Sequence, residues 1–242
     1  GTNVRRGGRD TPAAVLLGTD GRVLGHQEKR RLVPGGEFVP FVAWLPEAVR
    51  EAVHAAFRSA LGSAPDCEPG RLLPPLATAS GVPFGALLCY DNAFPQPARE
   101  QVEAGARFLC VLSNEAWYRG GGELQQLVAM TVCRALELGV PIVRCTTDGW
   151  SVAVDASGRI LAELPVQPSP SPEARILRVS LPIPPGPGPS TWSGWLRTAT
   201  GPLVGGLLAL ALVHGAWAAV RRRRAGAPGA TDGGLPNTRS ST

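Results

Sequence analysis

The sequence predicts a layered α/β domain, and three observations carry that prediction. The short continuous apolar runs "GALLC", "RFLCVL" and "VPIVRC" read as strands covered on both faces. Helical spacing marks the segments "PEAVREAVHAAFRSALG" and "LQQLVAMTVCRALELG". Around Asp20-Gly21 and Ser157-Gly158, apolar runs flank a turn dipeptide and read as hairpins. Strands buried on both sides and separated by helices pack as layers.

In chain order, "AAVLLGTDGRVLG" supplies the first hairpin. The helix from Pro46 to Gly62 has a proline at its start, where a missing N–H costs nothing, and a glycine at its end. The run Phe84 to Leu88 ends at Cys89, and the next helix is predicted from Pro97 to Ala104 with Gly105 as cap. A strand, a helix closed by Gly139, a further strand and the hairpin "SVAVDASGRILAEL" follow. Cys110 and Cys133 lie in apolar runs and read as small core residues.

The end of the chain is different in kind. Thr198 to Val220 contains no Asp, Glu, Lys or Arg and is long enough to cross a bilayer as a helix. "RRRR", Arg221 to Arg224, follows at once and would hold that end in the cytoplasm, leaving the body on the extracytoplasmic side. The expected organisation is a domain over 1–183, a Pro/Gly linker over 184–197 with Trp192 and Trp195 at the membrane interface, a span over 198–220, and a basic tail without fixed structure over 221–242.

Composition excludes several classes. The formal net charge is +5, and Arg221 to Arg224 supply four of it, leaving +1 for everything else. No broad basic face or stacking-aromatic pattern remains, so no nucleic-acid partner is expected. The five cysteines are odd in number and widely spaced, which indicates neither a zinc site nor a disulfide framework. No metal or cofactor is expected. No basic-then-apolar leader opens the chain, and it is read as part of a longer protein.

Cys89 ends a buried strand just before a helix, a placement that exposes the nucleophile of other α/β hydrolytic enzymes. Its histidine partners are hard to find: His26, His54 and His214 are the only three, none in a partnering context. Lys29 is the only lysine in a chain whose other cations are arginines. Glu37 follows it by eight positions, across a Pro-Gly-Gly turn able to fold it back.

"KRRLVPGGEFVP", "LLCYDNAFP" and "LSNEAWY", continued by "MTVCRALELGVPIVRCTTDGWSVAVDASGRI", resemble the nitrilase superfamily and, within it, the bacterial apolipoprotein N-acyltransferase family. The resemblance runs from about Ala13 to Val220 and implies a nitrilase-type α-β-β-α sandwich, incomplete at its N-terminus, followed by one transmembrane helix. It implies a catalytic set in which Cys89 takes an acyl chain from a phospholipid as a thioester. Lys29 would stabilise the oxyanion, and Glu37 would hold the lysine and the substrate amine. Tyr90, Asp91, Asn114 and Trp117 match positions expected to bind substrate. The implied acceptor is the α-amino group of the diacylglyceryl-modified cysteine of an apolipoprotein, and the implied location is the bacterial cytoplasmic membrane with the domain outside.

Departures from the family pattern are specific. Asp91 and Glu115 exchange the expected Glu and Asp, Gly35 replaces a phenylalanine, and Gln126 stands where histidine is frequent. The family's general-base glutamate has no match between Gly1 and Glu28, and Glu28, next to Lys29, is expected to point the other way. The chain is therefore expected to hold the nucleophile without that base. The competing readings are a membrane-anchored nitrilase-type amidase acting on a small amide or N-carbamoyl compound, and a non-catalytic relic of the fold.

Overall fold

The computed structural model describes residues 1–62, 64–118, 122–166, 175–185, 201–212 and 214, with the side chains of Arg6, Leu61 and Trp117 outside the description. Two compact units are present, Gly1–Ser190 and Thr191–Thr242.

The first unit is built on two sheets. One is antiparallel and three-stranded, in the order β1 (Thr2–Arg6), β2 (Arg9–Leu17), β3 (Val23–Glu28). The other has six strands in sequence order: β4 (Leu76–Ala77), β5 (Pro83–Leu88), β6 (Phe108–Asn114), β7 (Ile142–Thr147), β8 (Ser151–Val154) and β9 (Ile160–Leu164). Its centre, β5-β6-β7, is parallel, and the flanking pairs are antiparallel. Among the described residues three α-helices join the strands: α1 (Glu47–Leu61), α2 (Pro95–Glu103) and α3 (Glu123–Leu138).

The pleat of β5 and β6 explains the layers. Alternate residues of a strand point to opposite faces. Leu87, Leu109 and Val111 pack with Ala98 of α2 and with Val128, Ala135 and Leu138 of α3. The residues between them turn the other way: Ala86 and Leu88 meet Ala14 of β2, and Phe84 and Phe108 meet Leu76 and Leu16. The large sheet is thus covered by helices on one face and by the small sheet on the other, as the apolar runs predict. Two stacked Phe rings, Phe84 and Phe108, lie 5.1 Å apart in the inter-sheet layer.

Both predicted hairpins form, as β2-β3 and β8-β9. Helices α1 and α3 close at Gly62 and Gly139, both left-handed. Helix α2 starts at Pro95, two residues before the predicted Pro97, because a 3₁₀ turn over Cys89–Ala93 delivers the chain to it directly. Strand β1 has no counterpart among the sequence expectations. It is an exposed, polar edge joined to β2 by the two-residue Gly7-Gly8 turn.

Two expectations fare differently. No described side chain of α1 is buried; Arg50, Val53, His54 and Phe57 form its half-buried stripe. Cys133 is exposed rather than core, because it lies on the outer side of α3, whose buried residues are Leu124, Val128, Thr131, Ala135 and Leu138. Cys110 is half-buried at the edge of the inter-sheet layer, and burial pushes its thiol up to about 11.

In the second unit, residues 201–212 are helical and exposed. No helix among the described residues is long and apolar enough to cross a membrane. Much of the predicted span over 198–220, most of the linker with Trp192 and Trp195, and the whole of 221–242 lie outside the described residues.

Candidate active site

Strand β5 ends at Leu88, and Cys89 leaves it with φ of 48°. A positive φ is unusual for a residue with a Cβ and is held only where the surroundings enforce it. The 3₁₀ turn Cys89–Ala93 does so through its two polar residues, both buried. The Asp91 carboxylate accepts hydrogen bonds from the N–H of Leu88 at 3.1 Å, of Arg31 at 2.7 Å and of Arg30 at 3.0 Å. Asn92 donates to Thr131 Oγ1 of α3 at 3.0 Å. One residue therefore ties the turn to the segment after Lys29, and the other ties it to the helical layer.

Burial lifts the Asp91 carboxyl to about 6, against the pull of the N–H groups of Arg31, Leu88 and Arg30 and of the Lys29 charge. The position matched to a substrate-binding carboxylate thus spends its oxygens on backbone. Tyr90 stacks edge-on against Phe94 at 5.0 Å, and Arg31 lies over the same Phe94 ring at 5.3 Å.

Lys29 is 2% exposed, and its Nζ donates to Glu37 Oε1 at 2.6 Å. The turn that folds Glu37 back is the one read from Pro-Gly-Gly. Gly35 sits at φ of 78°, a conformation the phenylalanine of the family pattern would adopt only under strain. Glu37 is held in place by the Val33 N–H on Oε2 at 2.8 Å. The Cys67 N–H reaches its main-chain oxygen at 2.8 Å. Burial pushes the Cys67 thiol up, with Glu37, Asp10 and Asp66 adding to the shift and Lys29 opposing it.

Glu28 is buried, accepts from the Arg71 N–H at 2.8 Å and lies 3.4 Å from His26 Nε2, so one histidine does find a carboxylate neighbour. Asn114 makes a local turn, its Oδ1 accepting from the Ala116 N–H at 3.2 Å. The Trp117 side chain lies outside the described residues. No cluster of His, Cys, Asp or Glu suited to a metal ion occurs among the described residues.

A second charged pair escaped the sequence reading. Arg144 of β7 and Glu115, just past β6, form an ion pair with both side chains fully buried. They touch without hydrogen-bond alignment, and Nε and Nη1 of Arg144 have no partner among the described residues. Burial draws the Arg144 guanidinium down to about 10, and the charge of Cys89 opposes that shift. The Glu115 carboxylate in contact must oppose it too, so the guanidinium stays charged at neutral pH. Burial pushes the Tyr118 phenol up, with contributions from the charges of Cys89, Glu123 and Tyr90. The readable signal was an arginine inside "VPIVRC", an otherwise uncharged, apolar run.

The geometry so far is a strained cysteine at a strand end, a buried lysine held by a glutamate, and polar residues locking the two segments together. The profile of the carbon-nitrogen hydrolase family matches residues 6–169. The chain belongs to the carbon-nitrogen hydrolase family. Curated relatives include an apolipoprotein N-acyltransferase from Geobacter metallireducens, 36% identical over 154 residues, which are 64% of this chain and 28% of that protein. One from Vibrio cholerae is 37% identical over 138 residues, 57% of this chain and 26% of the relative. The matched part of the chain therefore spans under a third of these relatives. Among solved structures, a carbon-nitrogen hydrolase from Helicobacter pylori aligns at 19% identity with a TM-score of 0.47, over 67% of this chain and 55% of that one.

Proposed function

We propose that the chain is the catalytic part of an apolipoprotein N-acyltransferase, with Cys89 as nucleophile, Lys29 as oxyanion stabiliser and Glu37 as the residue that holds the lysine. The observation that carries this reading is the Lys29–Glu37 pair at 2.6 Å, joined through Asp91 to the turn that bears Cys89. The similarity to curated N-acyltransferases supports the choice among the chemistries of the family.

In the first half-reaction, the Cys89 thiolate attacks the carbonyl carbon of a phospholipid acyl ester. The carbonyl oxygen gains the negative charge that the Lys29 ammonium offsets in a site with little water. Collapse breaks the ester C–O bond, the leaving oxygen takes up the proton that the thiol gave up, and a lysophospholipid departs with the acyl chain left on sulfur. In the second, the α-amino group of a diacylglyceryl-modified cysteine attacks the thioester, the C–S bond breaks and an amide forms. The proton lost by the amine needs a base; with no match for the family's base glutamate between Gly1 and Glu28, Glu37, beside Lys29 and within reach of solvent, is the carboxylate that can take it, and the thiolate leaves ready for another cycle. Tyr90, Asn114 and Trp117 are proposed to bind substrate, with Asp91 positioning the turn.

The span over 198–220 is proposed to anchor the domain to a bacterial cytoplasmic membrane, with Arg221 to Arg224 inside and Cys89 outside. Phospholipid and apolipoprotein would then meet at the same surface. Membranes containing the protein should transfer a labelled acyl chain from phospholipid to a diacylglyceryl lipopeptide, and Cys89→Ala should abolish the transfer. Hydrolysis of small amides without acyl transfer would instead favour the amidase reading, and neither activity would favour a relic.

A further inference from the structure

The Arg144–Glu115 pair lies deep in the fold, and ordinary packing does not explain it. Removing a guanidinium and a carboxylate from water costs several kcal/mol per ion, and apolar residues of similar volume would often serve the fold better. The surroundings nevertheless conform to the pair. The Glu115 N–H bonds Thr147 O at 2.9 Å, and the Trp150 N–H approaches Oε2 at 3.4 Å. Gly149 is required beside it, since a Cβ there would fall 2.1 Å from Glu115 Oε2.

The register sets where the guanidinium sits. Leu87 pairs with Val111, and Val111 with Arg144, so these three share one level and one face of the parallel sheet. Cys89 is two residues beyond Leu87, at the end of the same strand. Strands lie about 4.8 Å apart, so two strands put the β7 backbone roughly 10 Å from β5. Leu88 pairs with Leu112, so Glu115, three residues further on, lies just past the level of Cys89, and contact with Glu115 draws the Arg144 guanidinium off its own strand towards that end of the sheet. Nε and Nη1 remain without a partner among the described residues.

We propose that Arg144 is a positioning residue for Cys89: from behind the nucleophile its fixed charge favours the thiolate, and Glu115 clamps the guanidinium in place. This rests on Cys89 being the nucleophile. Substrate approaching Lys29 does not need to touch the pair, since both of its side chains are fully buried. Other charged groups around the turn are Lys29 and Glu37 after β3, Tyr90 and Asp91 on the turn itself, and Tyr118 after β6. Of these, Glu37 and Asp91 work against a thiolate, as do the tyrosines if they ionise, so two cations carry the effect.

The test is alkylation of the full chain by iodoacetamide, followed residue by residue by mass spectrometry across pH. Exposed Cys133 serves as an internal reference. Arg144→Met should slow alkylation of Cys89 about tenfold near neutral pH, and alkaline buffer should restore the rate. Arg144→Lys should keep most of it, and Cys133 should be unchanged throughout. Glu115→Gln removes the opposing charge and should leave Cys89 at least as fast as in the wild type. A purely structural pair would instead slow or expose cysteines in the same direction in both variants. Identical pH profiles in wild type and Arg144→Met would overturn the proposal, as would new reactivity of half-buried Cys110. Wild-type Cys89 reacting no faster than Cys133 would overturn the nucleophile itself, and so the proposed function, before Arg144 is in question.

Discussion

The two ion pairs around Cys89 differ in their access to water. Lys29 is buried, but Glu37 keeps 24% of its side chain exposed, whereas Glu115 and Arg144 have none. A charge whose partner reaches solvent can meet a substrate and exchange one contact for another. A charge sealed with its counter-ion can act only through what it already touches. The difference separates a group suited to stabilising a transition state from one suited to setting the state of the nucleophile. It also predicts which pair is a burden on stability when broken.

The largest effect should come from Lys29→Met. Loss of one preorganised charge at an oxyanion costs about 10²–10³-fold in rate, and acyl transfer in membranes should fall by that much. Arg at this position should not restore it, because a planar fork replaces a point charge against Glu37. Stability should respond in the opposite order. Arg144→Met leaves a carboxylate buried and unpaired, at a cost of about 3–5 kcal/mol. Lys29→Met leaves Glu37 with the Val33 N–H and with water, at a cost of about 1 kcal/mol. Urea unfolding of the two variants measures the gap, and equal losses would erase the distinction.

The smallest effect concerns Asp91. Its carboxyl is raised from 3.8 to about 6 in the fold, so the folded protein binds the extra proton in that window. Its contribution is full below the unfolded value and is lost as pH rises through about 6. The Tm of wild type relative to Asp91→Asn should therefore drop by a few degrees from pH 4 to pH 7. A gap that widens towards pH 7 would mean that the three N–H donors outweigh burial.

Much of this was legible because local signals and global packing agree. Turn dipeptides at Asp20-Gly21 and Ser157-Gly158, glycines closing two helices and three apolar runs each dictate one local geometry, and the fold uses all of them. The fold-back of Glu37 onto Lys29 was legible for the same reason: the intervening turn is short. What stayed hidden depends on distant partners. The pairing of Arg144 with Glu115 follows from strand register across β6 and β7, and the three donors of Asp91 come from two separate segments. Strand β1 carries polar residues on an exposed edge, so no apolar period announces it. The start of α2 moved because a 3₁₀ turn, stabilised by buried polar residues, occupies the connection.

If Cys89 is the nucleophile, it alone among the five cysteines should accept an acyl chain. Incubating the protein with phospholipid vesicles, quenching in acid and measuring peptide masses tests it directly. One added acyl group should appear on the peptide containing Cys89, removed by neutral hydroxylamine and absent in Cys89→Ser. An adduct on Cys67 or Cys145, or a vesicle-dependent acyl transfer that persists in Cys89→Ala, would contradict it.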